Sequence, residues 1–159
     1  MSSRRKAREA VLKALYVAES RKISVKEAFD EMSDFDKQIE KTYDSEHIDN
    51  LKPFSLGLGE EQKIFAFTLA ENIEINHIQL NEQIIPVLKN WDFSRISRID
   101  RIILWIAIAE MIFIFDIPKS VSINEAIELA KKYSSPQSPP FINGVLDAVS
   151  KNIGLKQNI

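Results

Sequence analysis

The sequence predicts an all-α fold, and three observations carry that prediction. Glycine is scarce, at four residues in 159. β-branched alternation is never sustained, and apolar side chains recur instead at intervals of three and four along most of the chain, which is the spacing of one helical face. One clear break is the Ser- and Pro-rich loop Ser134-Ser135-Pro136-Gln137-Ser138-Pro139-Pro140. At this length one compact domain spanning residues 1–159 is expected.

The first helix is expected from about Ser3 to Ser20, with Ala7, Val11, Ala14, Leu15 and Ala18 on its core face. With Ala7 set at zero and about 100° per residue, Arg8, Leu12, Arg5 and Tyr16 fall at about 100°, 140°, 160° and 180°, away from that face. A second, short helix opens at Ser24-Val25-Lys26-Glu27, a capping box in which hydroxyl and carboxylate each meet an orphan backbone amide. From Met32 to Pro53 the chain is polar and acidic with weak periodicity, and a mobile or loosely helical connection is expected. After Gly57-Leu58-Gly59 a helix runs from Glu60 to about Asn76, with Phe65, Leu69 and Ile73 in one stripe. It continues through Ile78, Ile84 and Ile85 to end near Pro86.

Ser94 is the expected N-cap of the longest helix, which reaches about Phe115 and is apolar on nearly every side after Arg101, so that other helices must surround it. Its apolar stretch is broken by Glu110 and falls short of the roughly 20 residues a membrane span requires. Ser122-Ile123-Asn124-Glu125 reads as a second capping box opening the next helix, which closes at the Ser/Pro loop. The last helix is expected from about Pro140 to Asn152, with Gly154 as its stop.

Composition narrows function before any motif does. The absence of cysteine removes disulfides, zinc-thiolate sites and thiol nucleophiles together, and the two histidines, His47 and His77, have no ligand-like spacing. No metal or cofactor is expected. No secretory signal follows the basic start, so a cytoplasmic protein is the simplest reading. The net charge of -2 conceals an asymmetry: residues 1–22 carry seven Lys and Arg against Glu9 and Glu19, whereas 23–82 are strongly acidic. A polyanion should therefore meet the first helix.

Tyr16 beside Arg5 and Arg8 suits single-stranded RNA, because guanidinium groups neutralise phosphates while a ring stacks on an unpaired base. A charged terminus that merely solvates the helix, with Tyr16 packed on a neighbour, fits composition equally well. Arginine near a helix N-terminus opposes the local dipole by about 0.3–1 kcal/mol, which favours a functional reason for the cluster. Glu110 reads as a structural carboxylate accepting hydrogen bonds from a neighbouring helix, since no base or nucleophile accompanies it. No Gly-rich phosphate loop is present, and Phe141 is read as a core anchor or a second exposed ring.

Three stretches resemble the NusB family of bacterial transcription antitermination factors. They are Arg4-Arg5-Lys6-Ala7-Arg8-Glu9 with Ala14-Leu15-Tyr16; Ile99-Asp100-Arg101-Ile102-Ile103-Leu104; and, most specific, Val121 to Lys131 followed by Phe141-Ile142-Asn143-Gly144-Val145-Leu146-Asp147. The resemblance implies about seven helices in two small packed bundles, and a factor that catalyses nothing. It implies pairing with NusE, a ribosomal protein, binding to boxA single-stranded RNA of ribosomal RNA leaders, and work within an antitermination complex with RNA polymerase. By position, Arg4, Arg5, Arg8 and Tyr16 fall on the family's RNA-binding helix, and Gln137 and Phe141 on its other RNA-contacting region. Asp100 and Arg101 fall where the family meets NusE.

The chain departs from that pattern at Trp105, where Arg is usual, and at Ala109, where Tyr often stands, so a different surface on that helix is expected. Gln137 replaces a position that can be acidic, and a neutral amide should repel phosphate less. An RNA cytosine methyltransferase, whose amino-terminal domain in one bacterial family is similar, is excluded by the missing cysteine. An adaptor that binds protein or forms a homodimer, with little RNA binding, is the alternative; monomer and homodimer both stay open.

Overall fold

The computed structural model of the chain describes residues 3–42 and 58–157. Among the described residues the regular structure is helical, comprising six α-helices and two 3-10 turns, in agreement with the all-α expectation. Contacts divide the chain into two compact units, Met1–Glu71 and Asn72–Ile159.

In the first unit, α1 (Ser3–Arg21) packs on α2 (Val25–Thr42). At the end of α1 the Ile23 amide donates to the Ala18 carbonyl at 3.0 Å, and Lys22 takes up a φ of 56°, the left-handed conformation that closes many helices. The first capping box forms as expected: the Glu27 amide donates to Ser24 Oγ at 3.1 Å, and the Ser24 amide to Glu27 Oε2 at 3.2 Å. The helix it opens is not short. Residues 32–42, expected to be loose, continue it, because Val25, Ala28, Phe29, Met32 and Asp36 form a buried stripe at helical spacing that acidic neighbours obscure in the sequence. The rest of the expected connection, residues 43–53, lies outside the described residues. The start of α3 (Glu60–Ile84) is held by Gln62 Oε1, which accepts from the Gly59 amide at 3.0 Å, and its Ala66, Leu69 and Ala70 are buried.

The second unit begins with the remainder of α3, which buries Ile73, Leu80 and Ile84. Asn76 leaves helical geometry at φ -110°, ψ 15°, while its amide donates to the Asn72 carbonyl at 2.8 Å. A side chain bonding the carbonyl four residues back competes with the helical ladder and bends it. The chain then passes through 3-10 turns at Ile85–Val87 and Phe93–Arg95 into α4 (Arg98–Phe113), α5 (Lys119–Tyr133) and α6 (Ser138–Gln157). Helices α5 and α6 pack on α4 and on each other, so α4 is buried from Ile102 to Met111.

Three boundaries and the ranking of helix lengths among the described residues differ from the sequence reading. Ser97, not Ser94, caps α4, its Oγ accepting from the Asp100 amide at 3.2 Å. Ser94 belongs instead to the preceding 3-10 turn, where its amide donates to Asp92 Oδ1 at 3.0 Å; this bond and one from the Ser94 hydroxyl hold the Asp92 carboxyl below its ordinary value of 3.8. The longest helix is α3, with 25 residues against 16 in α4. Helix α5 starts before its supposed capping box, and α6 runs on through Gly154, since a cost of about 1 kcal/mol for an internal glycine does not stop a helix docked through Val149 and Ile153.

Candidate nucleic-acid interface

The expected site residues fall into two groups, one in each unit, and each group is described by itself. On α1, Tyr16 is 42% exposed, as the helical geometry required; Lys6 is exposed, while Arg4 and Arg5 are half-buried. Arg8 departs from the expectation. It is 2% exposed, and Leu12 is buried with it. The guanidinium groups of Arg4 and Arg8 lie 4.9 and 5.7 Å from the centroid of the Phe65 ring. Both α2 and the Phe65 ring cover α1, so its buried arc is wider than the stripe of small residues indicates, and an Arg is accepted there because its planar cation sits well on an aromatic face. The sequence carried no signal for Phe65 in this role.

In the second unit, Trp91, Arg95, Tyr133, Gln137 and Phe141 line a hollow of about 490 Å3. Trp91 is 60% exposed, and its ring stands 5.5 Å from that of half-buried Phe141 at a tilt of 53°. Gln137 is exposed on the rim. Phe141 is thus both anchor and partly presented ring, and the sequence reading missed its partner Trp91, a lone aromatic between Asn90 and Asp92 with no helical period to place it.

The loop that carries Gln137 is tied down by Asp100. Ser134 Oγ donates to Asp100 Oδ1 at 2.6 Å, and Ser138 Oγ donates to Asp100 Oδ2 at 2.8 Å. Ser138 Oγ also lies 2.8 Å from Ser134 Oγ and 3.0 Å from Ser135 Oγ, so three hydroxyls and the carboxylate form one hydrogen-bonded cluster. Asp100 is 8% exposed, so its carboxylate serves this loop and is not laid open to a partner protein, contrary to expectation. Arg101 is half-buried, its guanidinium 4.9 Å from the centroid of the Trp105 ring.

The two departures from the family pattern also lie inside. Trp105 and Ala109 are buried, and Trp105 Nε1 donates to Asn81 Oδ1 at 2.8 Å, so these substitutions alter packing and not the exposed face that was expected to change. Glu110 is buried and accepts from Ser122 Oγ of α5 at 3.1 Å, the structural carboxylate foreseen. His77 is exposed, its Nδ1 2.9 Å from the Glu74 carbonyl, and His47 lies outside the described residues. Among the described residues no group of His, Asp or Glu could hold a metal ion, and no helix is long and apolar enough to cross a membrane.

The fold and the two surfaces define a helical module of the kind that presents basic and aromatic side chains to other macromolecules. The comparisons narrow the class. A model of the NusB family matches residues 5–151. Two transcription antitermination proteins NusB are similar over nearly their full lengths. That of Geotalea daltonii is 34% identical, covering 99% of this chain and 100% of the relative, and that of Sulfurimonas denitrificans is 36% identical, covering 96% and 99%. The solved structure of T. maritima NusB superposes with a TM-score of 0.70 at 32% identity, over 95% of this chain and 92% of that one. A structure of the antitermination factors NusB and NusE in complex with double-stranded RNA shares the fold, with a TM-score of 0.73 at 22% identity over 96% and 98% of the two chains. The chain belongs to the NusB family of transcription antitermination proteins.

Proposed function

We propose that this protein acts by binding, without catalysing a reaction: in the cytoplasm it holds boxA single-stranded RNA of ribosomal RNA leaders together with NusE, as a single RNA- and protein-binding domain that helps RNA polymerase pass terminators. The observation that carries this reading is the exposed Tyr16 on the same helix as a dense run of basic residues, Arg4, Arg5 and Lys6. Positive charge at a helix N-terminus is unfavourable alone, but an arriving phosphate meets both the cations and the positive end of the helix dipole. The ring then stacks on a base. A second contact is supplied by Gln137, Phe141 and Trp91, a rim of amide and aromatic surface whose neutral amide repels no phosphate. Support for the partner comes from family membership, with Arg101 on α4 as the remaining expected NusE contact.

Fluorescence anisotropy with labelled, U-rich boxA RNA, with and without purified NusE, tests this. Tyr16→Ala should weaken binding by about 1–3 kcal/mol, and Arg5→Ala should lower the slope of log affinity against log salt by about one. Arg8→Ala is a poor test, because Arg8 is buried. RNA binding that neither change weakens would refute the reading, and tight NusE binding with no RNA affinity would instead favour an adaptor.

A further inference from the structure

We infer that Asp100 is a positioning residue that sets the shape of the RNA-contacting turn from inside the protein. The inference rests on the proposed RNA-binding reading and extends it to a residue that touches no RNA. The turn between α5 and α6 carries Gln137 and leads directly into Phe141. The turn itself, residues 134–137, holds Pro136, which has no amide to donate, and its backbone bonds run from the Ser134 amide to the Ala130 carbonyl at 2.9 Å and from the Ser138 amide to the Ser135 carbonyl at 3.0 Å. The Asp100 carboxylate adds a tie between its two ends. It stands in the first turn of α4, its own amide fixed by Ser97 Oγ, and each oxygen accepts from a hydroxyl at one end of the turn, Ser134 after α5 and Ser138 at the start of α6. Ser138 is itself buried and bonds further to Ser134 and Ser135. The chain between the two serines is thereby pinched to a single carboxylate, and Gln137 and Phe141 project from the two sides of the pinned residue toward the hollow with Trp91.

The carboxylate ties the two ends of the turn together. Asparagine is a weak probe of it, because a serine hydroxyl both donates and accepts and Ser134 Oγ and Ser138 Oγ lie 2.8 Å apart, so a turned hydroxyl can accept from the amide NH2 and still donate to its neighbour. Asp100→Ala removes both acceptors and should release both ends of the turn, while the cap of α4, which uses the backbone amide of residue 100, stays in place. Two measurements on the full chain separate a positioning role from plain loss of stability. Hydrogen exchange of the amides of residues 134–141 in the free protein should speed up in Asp100→Ala, and less in Ser134→Ala, while the buried amides of α4 from Ile102 to Met111 stay protected. Affinity for the labelled RNA should fall about tenfold in Asp100→Ala, but by less than about twofold when the change is made in a Phe141→Ala background, because the residue acts through that loop. NusE affinity should be unchanged in both.

Unaltered exchange in Asp100→Ala and Ser134→Ala, equal RNA losses in the two backgrounds, or a loss confined to NusE would each overturn the assignment. Wild-type protein that bound no RNA would remove the proposed function instead, and the exchange result would then decide by itself whether Asp100 holds the turn.

Discussion

The chain contains two copies of one local signal, Ser-x-x-Glu, and the protein uses them in opposite ways. Ser24 and Glu27 lie at the surface and close reciprocally on each other's backbone, so the motif starts a helix. Ser122 and Glu125 lie inside a helix that began at Lys119, and the Ser122 hydroxyl turns away from the backbone to Glu110 on α4. The difference is burial. A cap contributes about 1 kcal/mol, whereas a buried carboxyl short of a donor costs about 1–3 kcal/mol or more. Where the second demand exists, it takes the serine.

That contrast is open to direct measurement. The largest effect should come from Ser122→Ala, which takes a donor from a buried carboxyl and should cost about 1–3 kcal/mol of stability in urea unfolding. Ser24→Ala should cost about 1 kcal/mol and Ser24→Gly only a few tenths, by the same assay. If Ser24→Ala proved as costly as Ser122→Ala, burial would not be what separates the two motifs. The smallest effect is expected at the surface cap of the 3-10 turn. Because the Asp92 carboxyl is held below 3.8 by its bonds from Ser94, its contribution is complete above that pH and disappears as pH falls through the lowered value. An NMR titration of the Ser94 amide should accordingly show a midpoint below 3.8.

The same physics decides what could be read from the sequence. Helix order among the described residues, the first capping box, the enclosed α4 and the structural role of Glu110 were legible, because each follows from periodicity or from a polar group in an apolar run. The true extent of α2 was hidden, since Asp36 joins the buried stripe and a buried acid counts as polar in any pattern. Arg8 was misplaced for a related reason: angles around one helix say where a side chain points but not which ring will meet it there, and Phe65 lies 57 positions along the chain. In the second unit Gln137 and Phe141 were found through the family's signature. Their support was not, because a carboxylate bonding two serines across 34 and 38 positions leaves no local trace. Trp91 escaped notice for want of any period.

The two tryptophans of the chain have complementary settings, and this has an optical consequence. Trp105 is enclosed and hydrogen-bonded to Asn81, so its emission should lie to the blue and resist an aqueous quencher such as acrylamide. Trp91, open over the hollow, should emit to the red and be quenched readily. Light collected at the red edge of the spectrum therefore reports on one side of the second unit alone, with no dye attached, and the blue edge supplies an internal reference from the same molecule.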